Sequence, residues 1–90
     1  MRFEWDLGKS RSNVRVHDVT FEEARTVFAD PLAVTVPDVS HSDEEERWTT
    51  VGVSGKRRLL VVVHCERGGN IRLISARKAT LAERKQYEED

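Results

Sequence analysis

A histidine and a row of cations gather late in this chain: His64, Arg67, Arg72, Arg77 and Lys78, with Arg47 upstream. A guanidinium fork matches two oxygens of a phosphate and does not deprotonate, and imidazole is the side chain that exchanges a proton near neutral pH. Together those types suit metal-free cleavage of RNA. In that reaction the 2′-OH attacks its own neighbouring phosphate, and the protein supplies a base, an acid for the leaving 5′-oxygen and cations for the charge building on phosphorus. Arg67, Arg77, His64 and Arg72 are the catalytic candidates. Arg47, Lys78, Lys56 and Arg84 read as cations that hold RNA, with His17, Lys9 and Tyr87 as accessory groups. Structural alternatives stand beside these roles. Arg77 directly precedes a helix start and can bridge to Glu83, His17 can cap the end of its helix, and His64 can be a satisfied strand residue.

The elements that must position these residues are legible in order. Residues 59–65 form an apolar, β-branched run suited to a buried strand. Gly68-Gly69-Asn70 marks a hairpin, because those types tolerate φ > 0. Residues 71–76 return as a strand that delivers Arg77 and Lys78 at its end, and Thr80 with Glu83 forms a capping box for a last helix over 81–88. Upstream, Phe3 and Trp5 alternate as a short first strand. Asp6 then N-caps a helix to His17 with Lys9, Asn13 and His17 four apart on one face. Thr20 and Glu23 make another capping box, for a helix over 21–28 that Asp30-Pro31 stops. Strands over 32–36 and 47–53 flank an acidic loop over 38–46, which holds His41 and is expected to be mobile and solvated. The order predicts one α+β domain over residues 1–90: a mainly antiparallel sheet of four to five strands, two N-terminal helices and one C-terminal helix. One sheet face should lie under helices, and the other should be partly open and ringed by arginines.

A formal charge of −1 conceals an asymmetry along the chain. Residues 1–46 carry five Lys or Arg against eleven carboxylates, whereas residues 47–85 carry ten against Glu66 and Glu83. The basic block can attract a polyanion even though the whole-chain balance is near neutral. His17, His41, His64 and Cys65 show no metal-ligand spacing, and no Gly-rich loop opens a helix, so neither metal nor cofactor is expected. The lone Cys65 inside an apolar strand reads as a small buried hydrophobe in a reducing compartment. Without an 18-residue apolar run or a signal-peptide core, the expected location is the cytoplasm, with no membrane contact.

Longer motifs add a resemblance. Phe3-Glu-Trp-Asp6 with Lys9, Asn13 and His17, Val19-Thr-Phe-Glu-Glu-Ala24, Val27-Phe28 and Glu46-Arg47-Trp48 recur in order. So do Gly52, Leu60-Val-Val-Val63, Glu66-Arg67, Ile71-Arg-Leu-Ile-Ser-Ala-Arg77, Ala79, Glu83-Arg84 and Tyr87. Over nearly the whole chain this pattern resembles BrnT, the toxin family of a bacterial type II toxin–antitoxin pair. One departure is Asp18, which stands where the family usually has glycine in a left-handed position after the histidine. The resemblance implies a RelE-like ribonuclease fold and metal-independent endoribonuclease activity that inhibits translation. It further implies neutralisation by a BrnA-like ribbon-helix-helix antitoxin in a 2:2 heterotetramer, with DNA touched only through the antitoxin. It also places the site on the open sheet face. Two readings of another class stay open: a non-catalytic basic interaction module, and an inactive toxin homologue acting with a partner as a regulator.

Overall fold

Local hydrogen-bond chemistry sets where each helix begins. In the computed structural model, which describes residues 1–38 and 45–89, the Asp6 carboxylate accepts from the Lys9 N–H at 2.9 Å and opens α1, Leu7–His17. Asp18 closes α1 in the left-handed conformation (φ 58°, ψ 38°), its N–H bonded to the Val14 carbonyl at 2.9 Å. Aspartate is among the few types that visit this region, so the helix ends here as it does with glycine. Thr20 Oγ1 accepts from the Glu23 N–H at 3.0 Å and starts α2, Phe21–Ala24, which tightens into a 3-10 turn over Arg25–Ala29. The helix expected over 21–28 is therefore α-helical for one turn only. Nor does Glu23 complete a capping box with Thr20. Its carboxylate accepts instead from Ser54 Oγ at 2.7 Å and Arg58 Nε at 2.9 Å. The last helix, α3 (Leu81–Glu89), has both arms of its box, Glu83 N–H to Thr80 Oγ1 at 3.2 Å and Thr80 N–H to Glu83 Oε1 at 2.8 Å.

Five strands make one sheet: β1 Phe3–Glu4, β2 Val34–Pro37, β3 Trp48–Val53, β4 Leu59–Arg67 and β5 Asn70–Lys78, in the spatial order β1-β5-β4-β3-β2. β2 to β5 pair antiparallel, and β1 lies parallel to β5 with Phe3 beside Ile71. The β4–β5 turn places Gly68 at φ 60° and Gly69 at φ 83°, with open space where a Cβ would be. Backbone conformation, not crowding, requires glycine there. Residues 39–44 of the expected acidic loop, His41 among them, lie outside the described residues.

A β-bulge decides which side chains share a face. Pairing runs from His64↔Leu73 to Val63↔Ser75, so Ile74 is an extra residue in β5. With strict alternation Arg72 and Arg77, five positions apart, would point to opposite faces. The extra residue restores them to one face, while Leu73 and Ala76 both turn to the other. That second face packs under α1 and α2, where Val19, Phe21, Ala24, Val27, Leu60, Val62, Leu73 and Ala76 form the buried core. Phe3, Trp5, Phe28 and Ile71 close its margin.

β1 is too short to pair with the C-terminal half of β5, and a side chain takes its place. The buried Asn13 of α1 donates from Nδ2 to the carbonyls of Ala76 (2.8 Å) and Val19 (2.9 Å), and its Oδ1 accepts from the Ala76 N–H at 3.0 Å. Its amide thus presents to Ala76 the donor and acceptor that a neighbouring strand would.

Candidate active site on the open sheet face

Arg77 lies in a groove of about 490 Å³ on the face away from the core, with Arg47, Thr49, Val63, Ser75 and Glu83 around it. Its guanidinium is already engaged: Nη1 and Nη2 donate to the two Glu83 carboxylate oxygens, each at 2.8 Å. The same contact holds the Glu83 carboxyl down to about 2 and raises Arg77 further above its usual range. Glu83 is consequently a fixed anion at neutral pH, not a proton acceptor.

Across β5 sits a second groove, of about 270 Å³, lined by Lys9, Ser12, Asn13, Val16 and His17 of α1. Its remaining wall is Ile74 and Ser75, and these same two residues also line the Arg77 groove. The bulge therefore stands between a trough where Arg47 and Arg77 meet Asp38 and Glu83 and one that offers an imidazole, an ammonium and a hydroxyl. α1 can bring Lys9 and His17 there because residues at i, i+4 and i+8 share one face. Asn13, between them on that face, is the residue that ties the helix to β5.

The other sequence candidates disperse. Arg72 donates to Glu4 on β1 at 2.7 Å, and Glu4 also accepts from Asn70 Nδ2 at 3.1 Å, which together lower the Glu4 carboxyl. Arg67, at the hairpin end of β4, donates to Glu45 at 3.1 Å and is about half exposed. Lys78 ends β5 exposed, alternating away from Arg77. Lys56 sits in the β3–β4 turn and lines a cleft with Asp18, Glu23 and Arg58, away from the Arg77 groove. Arg84 is exposed on α3, 4.0 Å from Glu88. Tyr87 donates to Asp30 Oδ2 at 2.6 Å, and that bond with the Asp30 charge pushes its hydroxyl up to about 12.

His64 is a correction to the sequence expectation. Its imidazole turns to the helix-covered face, where the Phe28 ring lies edge-on at 4.9 Å and Nε2 is 2.7 Å from Thr50 Oγ1. Thr50 in turn bonds Thr35 Oγ1 at 2.7 Å, so a polar chain crosses three strands beneath the helices. Burial pushes the His64 imidazolium down to about 4. A neutral ring behind the sheet does not meet the open-face cations. The physical reason is parity: Cys65 and Arg67 face the open side, so His64 between Val63 and Cys65 cannot.

The arginines expected around the open face are present but ion-paired. Glu4, Glu23 and Glu45 from the acidic half pair with Arg72, Arg58 and Arg67 from the basic half, so three of the ten cations of that half are matched across the fold. Sequence reasoning missed Ser75, which the bulge places between the grooves. The Arg77–Glu83 bridge is the structural alternative that the sequence offered for Arg77.

The family model for the ribonuclease toxin BrnT of type II toxin–antitoxin systems matches residues 5–83. The chain belongs to the BrnT family. As a member it is a ribonuclease toxin of a type II pair, and such a pair has a protein antitoxin. The 1.1 Å crystal structure of the Brucella abortus ribonuclease toxin BrnT superposes with a TM-score of 0.70 over 89% of this chain and 97% of that one. At 20% identity that likeness shows a shared α+β BrnT fold. No curated protein sequence matches the chain. Among the described residues no helix is long and apolar enough to cross a membrane.

Proposed function

We propose that this BrnT-family chain is a metal-independent endoribonuclease whose RNA crosses β5 at Ser75, with phosphate held on the Arg47–Arg77 side and the reacting ribose on the Lys9–His17 side. The observation that carries this is the shared wall, Ile74 and Ser75, between the two grooves. His17 is assigned as the base that takes the 2′-OH proton. The O2′–P bond forms, the P–O5′ bond breaks, and the imidazolium returns a proton to the 5′-oxygen. Arg77 and Lys9 offset the charge building on phosphorus, a role that fixed cations fill without reorganisation. Arg67, Arg72, Lys78 and Arg84 are left as peripheral contacts to flanking phosphates, and neither His64 nor Lys56 has a place in this path. Neutralisation is assigned to a BrnA-like ribbon-helix-helix antitoxin in a 2:2 heterotetramer, with DNA reached through the antitoxin and the whole cycle in the cytoplasm.

The test is cleavage of a ribo-oligonucleotide and its all-deoxy counterpart by purified protein in excess EDTA. The ribo form should be cut to a 2′,3′-cyclic phosphate and the deoxy form left intact. His17→Ala and Arg77→Ala should each slow cleavage by about 10²-fold, the scale of a lost proton-transfer group or charge stabiliser. Dependence on a divalent ion, or wild-type rates in both variants, would remove the mechanism. Because Arg67, Arg72 and Arg77 are each held by a carboxylate instead of standing free for phosphorus, a second reading is a non-catalytic module that binds without cleaving. RNA retained but never cut would establish it.

A further inference from the structure

α3 touches the sheet in an unusual way. Only Glu83 and Tyr87 are half-buried, the other seven residues are exposed, and Leu81 is 70% exposed. Beneath the helix a cavity of about 210 Å³ separates Glu83, Gln86 and Tyr87 from Val34, Val36, Thr49 and Val51 of β2 and β3. Among the described residues, polar contacts hold α3 at two points. In its first turn Glu83 clasps Arg77, and one turn later Tyr87 donates to Asp30. A nine-residue helix is marginal by itself, and a segment with few apolar contacts opens at low free energy.

The first clasp falls on the guanidinium that the proposed reaction needs. Both carboxylate oxygens of Glu83 take the paired N–H groups of Arg77, the geometry a phosphate would use. Glu83 and an RNA phosphate thus compete for one fork.

We infer that α3 is a self-inhibiting strap: closed, it occupies Arg77 with Glu83; open, it frees the fork for RNA phosphate and uncovers the valine floor of β2 and β3. This rests on Arg77 being the phosphate-binding arginine. In the closed state the protein is a slow ribonuclease, and the clasp at Tyr87, remote from the reacting atoms, sets how often the strap lifts. Glu83 then acts against the reaction. Were it instead a positioning residue that aims Arg77 at phosphorus, its loss would slow cleavage.

The experiment compares kcat/KM for ribo-oligonucleotide cleavage in wild type, Glu83→Gln, Tyr87→Phe and Arg77→Ala, with hydrogen exchange over residues 81–89 in each. Glu83→Gln keeps an acceptor for the Thr80 N–H while removing the charge from Arg77, and Tyr87→Phe removes one hydrogen bond and no volume. Both variants should cleave faster by about two- to fivefold, the factor that a half-exposed ion pair in one and a single hydrogen bond in the other are worth. Amides of α3 should lose protection in both while those of β4 and β5 keep theirs. Cleavage that is unchanged or slower in either variant overturns the strap. If Arg77→Ala cleaves at the wild-type rate, the reading of the site itself has failed. If Arg77→Ala is inactive and the two clasp variants are not faster, only the strap has failed.

Discussion

Asn13 offers the sharpest test of how this fold holds its site. Replacing it by alanine removes three buried hydrogen bonds and leaves the Ala76 N–H and the carbonyls of Ala76 and Val19 without their partner. Val19 and Ala76 are 0% exposed, so bulk solvent does not reach the orphaned groups. Each buried polar group left unsatisfied costs about 1–3 kcal/mol, so three of them cost about 3 kcal/mol even at the low end. A water entering the vacated space recovers part of that, and about 2 kcal/mol is then the floor. Against a total stability of about 5–15 kcal/mol this is a large share. In a domain of this size it lowers Tm by about 8 °C or more. Urea unfolding followed through Trp5 and Trp48 reads the loss directly, with the slope m unchanged if only stability moves. Asn13→Asp keeps an acceptor for the Ala76 N–H but sets a carboxylate against two carbonyl oxygens. At neutral pH it should therefore be no more stable than the alanine variant. A midpoint for Asn13→Ala equivalent to less than about 0.5 kcal/mol of destabilisation, within the range of an ordinary surface substitution, would refute the reasoning. So would an aspartate variant more stable than the alanine one.

Three further outcomes follow from the same contacts. His64 is held neutral, with a folded value of about 4 against 6.5 in the unfolded chain, so its stabilisation is complete above pH 6.5 and is lost as pH falls toward 4. That linkage amounts to about 3 kcal/mol in all, and His64→Gln should flatten the decline from about pH 6.5 to about pH 5, above the range where the carboxylates of the unfolded chain begin to protonate. Gly52→Ala would set a Cβ 2.9 Å from Val27 Cγ1 and 3.0 Å from Ala33 Cβ. It should destabilise by about 1–3 kcal/mol in a urea melt, and a neutral result would mean that the 3-10 turn yields freely. Arg58→Ala strips the guanidinium from Glu23, which is 5% exposed. Breaking such a pair should cost about 2–3 kcal/mol at neutral pH, the buried-pair range reduced because the Arg58 side chain keeps 29% exposure. Since Arg58 lowers the Glu23 carboxyl, stability in the wild type is present above the unfolded carboxylate range and lost below it. The variant's deficit should shrink as pH falls through that range, and a deficit independent of pH would point to packing instead of charge.

The amino-acid sequence by itself determined where the elements begin and turn. Asp6, Thr20 and the Thr80–Glu83 pair cap backbone groups three residues away, and Gly68-Gly69 supplies the positive φ of the hairpin. Such interactions close within one turn of chain, so residue type and spacing suffice to read them. The α+β class, the basic second half and the motif carrying Lys9, Asn13 and His17 were legible for the same reason. Which side chains meet was decided by the tertiary structure. One extra residue at Ile74 set the face of Arg77, strand parity sent His64 under Phe28, and Glu4 and Glu45 claimed arginines remote in sequence. Asn13 bonds Ala76 across 63 positions. Register, a bulge and ion pairs between distant segments depend on how strands align, and that alignment is fixed only when the whole sheet packs against its helices.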